Sequence, residues 1–131
     1  MNDLSRPLMI LVAGPYRSGT NDDPTLIAAN MRAMNAAALE VWRRGHLPVT
    51  GEALALPLVE LAGSRQVGDA VFNGIFHPLS RLLVTRCDAV LRIGGPSQGA
   101  DEMVALAEAQ GLAVFYRMED VPLVATEEEA R

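Results

Sequence analysis

Leu8-Met9-Ile10-Leu11-Val12-Ala13, followed at once by Gly14-Pro15, is the stretch on which the fold turns. Six apolar residues in a row, with no polar alternation, suit a strand covered on both faces, as in a parallel sheet between two layers of helix. The next segment has the composition of a helix. Asp22-Asp23-Pro24 supplies an acidic cap and a proline at the first helical position. Ile27, Met31, Met34, Ala38 and Val41 recur at spacings of three and four, so they share one face. Arg43-Arg44-Gly45 closes the helix, with cations at its negative end and a glycine beyond it. His46 to Thr50 then predicts a short second strand, ended by Gly51.

The same alternation continues. Ala89-Val90-Leu91-Arg92-Ile93 predicts a third strand, Ala100 to Gln110 a helix with acids in its first turn, and Leu112 to Tyr116 a fourth strand. Between the second and third strands the pattern is weaker. Glu52 to Ala62 is apolar with a proline inside, which fits either a broken helix or a loop over the mouth of the sheet. Gly63 to Gly68 is polar, which fits a mobile or a turn-like stretch. Val71, Ile75, Leu79, Leu82 and Leu83 have helical spacing, although Gly74 and Pro78 interrupt it and Pro78 is a possible start of the helix proper. Val121 to Ala125 suits an edge strand or a docked tail, and Thr126 to Arg131 an acidic, frayed end.

Strand and helix in alternation imply an α/β protein. The expectation is a single domain over 1–131, a three-layer Rossmann-like (flavodoxin-like) sandwich with a parallel sheet of four to five strands. Ligands of such sheets bind beyond the carboxyl ends of the strands. That selects three loops: Gly14–Asp23, Thr50–Ala53 and Gly94–Asp101.

Composition removes several chemistries. All 11 basic residues are arginine, so no lysine is present to form a Schiff base, to serve a phosphate loop or to act as a base. The one cysteine, Cys87, makes neither an internal disulfide nor a thiolate-rich metal site, and His46 and His77 stand too far apart for metal-ligand spacing. A net charge of −5 argues against a nucleic-acid surface. No apolar run approaches the ~20 residues of a membrane span. The polar start Met1 to Pro7 lacks a signal peptide's apolar stretch, and a cytoplasmic protein is the expectation.

The first loop reads Gly14-Pro15-Tyr16-Arg17-Ser18-Gly19-Thr20. Gly14 permits close approach of a ligand. Arg17 suits a two-pronged grip on phosphate or carboxylate, and Tyr16 suits a base or a sugar hydroxyl. A plain turn with a surface arginine and a packed tyrosine is the alternative. The loop Gly94-Gly95-Pro96-Ser97-Gln98-Gly99-Ala100 leads into a helix whose first amides form an anion site, with Ser97 either a donor to the ligand or simply the cap. Asp101 and Glu102 are candidates for ligand binding, a general base or a carboxylate nucleophile, yet acids in a first turn also arise from the helix dipole alone. Glu52 is a second candidate carboxylate. His46, at the entering end of its strand, reads as structural, His77 as a cap or packed residue, and Asp88 as a cap or turn.

Gly14-Pro15-Tyr16-Arg17, a long helix after it, Cys87-Asp88-Ala89 entering a strand and Pro96-Ser97-Gln98-Gly99-Ala100 opening a helix together resemble the nucleoside 2-deoxyribosyltransferase-like superfamily. The resemblance runs from about Met9 to Met118. It implies a nucleoside or nucleotide ligand and cleavage or transfer at the base–sugar bond, with no metal and no other cofactor. It assigns Tyr16, Arg17, Ser18 and Ser97 to substrate binding, and Gly14, Gly99 and Asp101 of the same loops are expected to join them. The family's nucleophilic glutamate lies six residues after the serine. Here that residue is Met103, and Glu102 comes one residue early, about 100° round the helix. Glu102 is therefore the expected nucleophile, with Tyr16 helping the base to leave. A non-catalytic nucleotide sensor on the same fold is the other expectation. The resemblance also implies a homodimer or larger homo-oligomer, in keeping with the apolar stretch Ala53 to Leu61.

Overall fold

A computed structural model describes residues 6–124. Four strands, β1 (Met9–Ala13), β2 (Leu47–Val49), β3 (Ala89–Arg92) and β4 (Ala113–Phe115), form one sheet in the order β2-β1-β3-β4. Every pairing is parallel; Leu11 of β1 lies opposite Val49 of β2 and Val90 of β3. Helices α1 (Pro24–Arg43), α2 (Gly51–Leu61), α3 (Ala70–Val84) and α4 (Gln98–Ala109) make the connections. The fold is α/β, with a four-strand, all-parallel sheet flanked by helices, as the alternation implies.

The apolar run of β1 is divided residue by residue between two cores, because successive side chains point to opposite faces. Ile10 and Val12, with Ala89 and Leu91 of β3, pack on Met34 and Val41 of α1 and on Val121. Leu11 and Ala13, with Val90, pack on Leu83 and Val84 of α3 and on Met103, Val104 and Ala107 of α4. A central strand buried on both faces needs apolar residues throughout, which is why no alternation is visible in the sequence.

The element ends follow from caps. Asp23 accepts from the Thr25 N–H at 2.9 Å and Pro24 begins α1. Thr50 is not part of β2; its Oγ1 accepts from the Ala53 N–H at 3.0 Å and starts α2. Ser97 caps α4, which therefore begins at Gln98 rather than Ala100. Asp69 caps α3, accepting at 2.8 Å from the Phe72 N–H.

The middle of the chain is helical throughout. α2 continues through Pro57, so residues 51–61 are neither a broken helix nor a loop. α3 likewise continues through Pro78, which does not start it. In both helices the proline and the residue four before it, Ala53 or Gly74, lie away from the buried positions, so the carbonyl that loses its bond is not sealed in the core. The stripe of α3 is also displaced by one position. Phe72, Ser80, Leu83 and Val84 are the buried residues, while Leu82 is 64% exposed.

After β4, a 3-10 turn at Met118–Asp120 leads into a docked segment, not an edge strand. Val121 and Val124 are buried, and the Val124 N–H donates to the Arg44 carbonyl at 2.8 Å. His46 holds this segment from within. Its Nδ1 accepts from the Leu8 N–H at 2.9 Å, so the proton sits on Nε2 and is donated to the Pro122 carbonyl at 2.6 Å. The expected acidic end, Thr126 to Arg131, lies outside the described residues. Among the described residues, no helix is long and apolar enough to cross a membrane.

Candidate functional site

In the order β2-β1-β3-β4, the chain leaves β1 toward one edge of the sheet and β3 toward the other. The loops after these two adjacent strands therefore diverge and open a crevice, the usual ligand position of an open parallel sheet. A cavity of about 260 Å³ lies there. That is near the lower end, ~300 Å³, of small-molecule sites. Gly14 keeps the crevice narrow at its base. A Cβ there would fall 2.7 Å from Ile93 Cγ1, so a side chain at this position would wedge β1 from β3.

The loop after β1 contributes Tyr16, Arg17 and Ser18 to the lining. Its backbone is fixed by Asn30, whose Nδ2 donates to the Tyr16 carbonyl at 2.9 Å, and by Thr20, whose hydroxyl donates to the Arg17 carbonyl at 2.5 Å. Burial first, and then the charge of Glu52, raise the Tyr16 hydroxyl above its ordinary range, against the pull of Arg17. Tyr16 therefore stays a hydrogen-bond donor. Arg17 is already occupied on one side. Its Nε and Nη2 bond Asp22 at 3.0 and 3.1 Å, which raises the arginine and lowers the carboxyl. Asp22 reaches back through a positive φ of 59°, a conformation that aspartate tolerates better than most residues. The two-pronged grip expected for a ligand is thus made on the loop's own carboxylate.

α2 places Glu52 in the lining. Gly51 lets α2 approach α3; a Cβ on it would sit 2.5 Å from Ser80 Oγ. That close approach leaves Glu52 only 7% exposed. Burial pushes its carboxyl from 4.5 up to about 7, opposed only by its own backbone N–H. The cost of desolvating a charge exceeds the help of a helix start when no cation is at hand.

α3 supplies an aromatic wall. Phe72 and Phe76, one turn apart, stack with centroids 4.9 Å apart, and Tyr16 stacks on Phe76 at 5.9 Å. His77 meets the edge of Phe76 and lines the cavity from mid-helix; it caps nothing. Neither phenylalanine belongs to the stripe expected from the sequence. Their spacing of four was the available signal.

α4 completes the cavity with Ser97, Gln98, Gly99, Glu102 and Met103. Ser97 is buried and its Oγ accepts from the Ala100 N–H at 3.2 Å, so it acts as the cap while its own proton stays free to donate. Glu102 stands at the rim, its side chain 46% exposed and 3.7 Å from Arg81 Nη1. Met103 is 7% exposed and faces both the cavity and the core.

The fold thus brings Gly14, Tyr16, Arg17, Ser18, Ser97, Gly99 and Glu102 to one cavity. Asp101 is not among them. It bonds Arg92 Nε at 3.1 Å and borders a separate open depression with Glu108 and Tyr116. One residue along a helix turns a side chain by about 100°, enough to put it outside the cavity wall. Among the described residues, no three His, Cys, Asp or Glu side chains gather so as to hold a metal ion. No protein-family model and no curated protein matches the chain.

Proposed function

We propose that this cavity binds a nucleoside or nucleotide and that the protein cleaves or transfers at its base–sugar bond, as the resemblance to nucleoside 2-deoxyribosyltransferase-like proteins implies. The observation that carries this is the meeting of two carboxyl groups, Glu52 and Glu102, with Tyr16 and the Ser97 turn around one cavity. Breaking a base–sugar bond builds positive charge on the sugar ring. A carboxylate beneath the anomeric carbon stabilises that charge or bonds to it. Glu102, open to solvent and beside Arg81, suits the ionised role. Tyr16, holding its proton, suits donation to the departing base. With Arg17 tied to Asp22, a 5′-phosphate would rely on the Ser97 hydroxyl and the first amides of α4.

Incubation with a panel of nucleosides and 5′-nucleotides, with free base measured by chromatography, tests this. Base release is expected from at least one of them. Glu102→Ala is expected to lower it by about a hundredfold or more, on the order of the loss of an essential group, with binding kept. Retained turnover would remove Glu102 from the nucleophile's role.

One observation favours a second function, a nucleotide sensor without chemistry. Met103 turns into the cavity while Glu102 stays at the rim, and a thioether neither captures the sugar nor moves a proton. Tight binding of a nucleotide with no base released from any of the panel supports that function.

Self-association belongs to the same proposal. Leu54, Leu58 and Leu61 lie on one face of α2 and are exposed, Leu61 by 87%. Sedimentation is expected to give a dimer or larger species; a monomer at all concentrations would remove this part.

A further inference from the structure

The cavity has two unlike sides. One is the aromatic wall of Phe72, Phe76 and Tyr16; the other is the polar first turn of α4. Glu52 enters the same cavity from the first turn of α2. Its charge acts on Tyr16, and Gly51 before it packs on Ser80, two turns along α3 from Phe72. It is 7% exposed, lines the cavity, and among the described residues no other side chain bonds its carboxyl group. A flat ring has its natural place against the aromatic wall, with its edge toward this acid.

We propose that Glu52 reads the ligand's ring as a neutral acid, pairing with an edge that carries one acceptor and one donor on neighbouring atoms. This rests on the proposed nucleoside binding and names the part of the ligand that Glu52 takes. A protonated carboxyl offers one O–H and one C=O, side by side; an ionised one offers acceptors alone. The neutral form matches the C=O/N–H edge of an oxopurine or oxopyrimidine. The ionised form would match an edge with two donors.

The surroundings favour the neutral form. Burial holds the Glu52 proton to about pH 7. The other ionisable groups around the cavity give it no free cation in compensation. Arg17, after β1, is bonded to Asp22, Glu102 of α4 faces Arg81 of α3, and Tyr16 keeps its proton. His77 of α3 is the remaining titratable neighbour of the cavity and is controlled for directly.

The test is calorimetric titration of the whole protein with inosine and with 1-methylinosine, at about pH 6 and about pH 8. Inosine affinity is expected to fall about tenfold between the two, as Glu52 ionises. 1-Methylinosine, which lacks the ring N–H, is expected to bind more weakly at the lower pH. Glu52→Gln is expected to keep inosine binding, because an amide also offers one donor and one acceptor, and to abolish the fall; His77→Gln is expected to retain it. Equal inosine affinity at both pH values in the unaltered protein overturns the inference and leaves the proposed nucleoside binding standing. Affinity that rises with pH does the same, since it requires an ionised Glu52. No binding of either nucleoside at either pH also overturns the inference, and the base-release panel then decides the proposed function separately.

Discussion

Glu52→Gln is expected to make the protein more stable at about pH 8, by about 3 kcal/mol, while leaving it nearly unchanged at about pH 4. The cause is the buried carboxyl. In the unfolded chain it ionises near its ordinary value of 4.5; in the folded chain burial holds the proton until about 7. Below the lower value the group is neutral in both states and its burial involves no charge. Between the two values the folded state binds more protons than the unfolded state, so stability falls as pH rises. Above the folded value the loss is complete. A gap of about two and a half pH units corresponds to about 3 kcal/mol, or ~10 °C in melting temperature for a domain of this size. Glutamine has nearly the same shape and never ionises, so it escapes the loss. Thermal or urea unfolding of both proteins across this pH range is the measurement. A difference of equal size at both ends would mean that the carboxyl is not held neutral by burial.

The second large effect lies far from the cavity. Gly45→Ala is expected to destabilise the fold by about 3–5 kcal/mol, through strain and lost burial together. Gly45 has φ +96°, where a side chain is strained whatever the space around it. Here there is no space either: a Cβ would run into the Val124 carbonyl. The docked segment would have to move away from α1. It would lose the Val124–Arg44 hydrogen bond, the bond from His46 to the Pro122 carbonyl, and the burial of Val121 and Val124. Amide exchange at Val124 is expected to speed up well before global unfolding. Unaltered stability with unaltered exchange would show that this segment contributes little to the fold.

These two residues divide cleanly in how readable they were. Gly45 is visible in the sequence as the stop after Arg43-Arg44, because a helix end needs a residue free to adopt positive φ. What it touches was not visible, since Val124 is brought to it only by the return of the chain after β4. Glu52 reads from the sequence as one acid among several after a short strand. Its proton affinity comes from helix packing across α2 and α3, which depends on Gly51 meeting Ser80. The α3 stripe shows the same limit. Val71 and Phe72 both satisfy a helical spacing, and only the docking of the helix on the sheet chose Phe72 for burial.

By itself the sequence determined the alternation that makes the sheet parallel, its four strands, and the three loops at its mouth, while residues 52–62 stayed open between helix and loop. Apolar runs closed by glycine, and caps such as Asp23 and Ser97, act over a few residues and carry that information locally. The tertiary structure alone decided which groups in those loops face the cavity and in what surroundings. It turned Arg17 onto Asp22, Asp101 onto Arg92 and Met103 into the cavity, and it buried Glu52 with no cation beside it among the described residues. Each of these depends on rotations of about 100° per helical residue and on desolvation by segments distant in the chain, which no local pattern encodes.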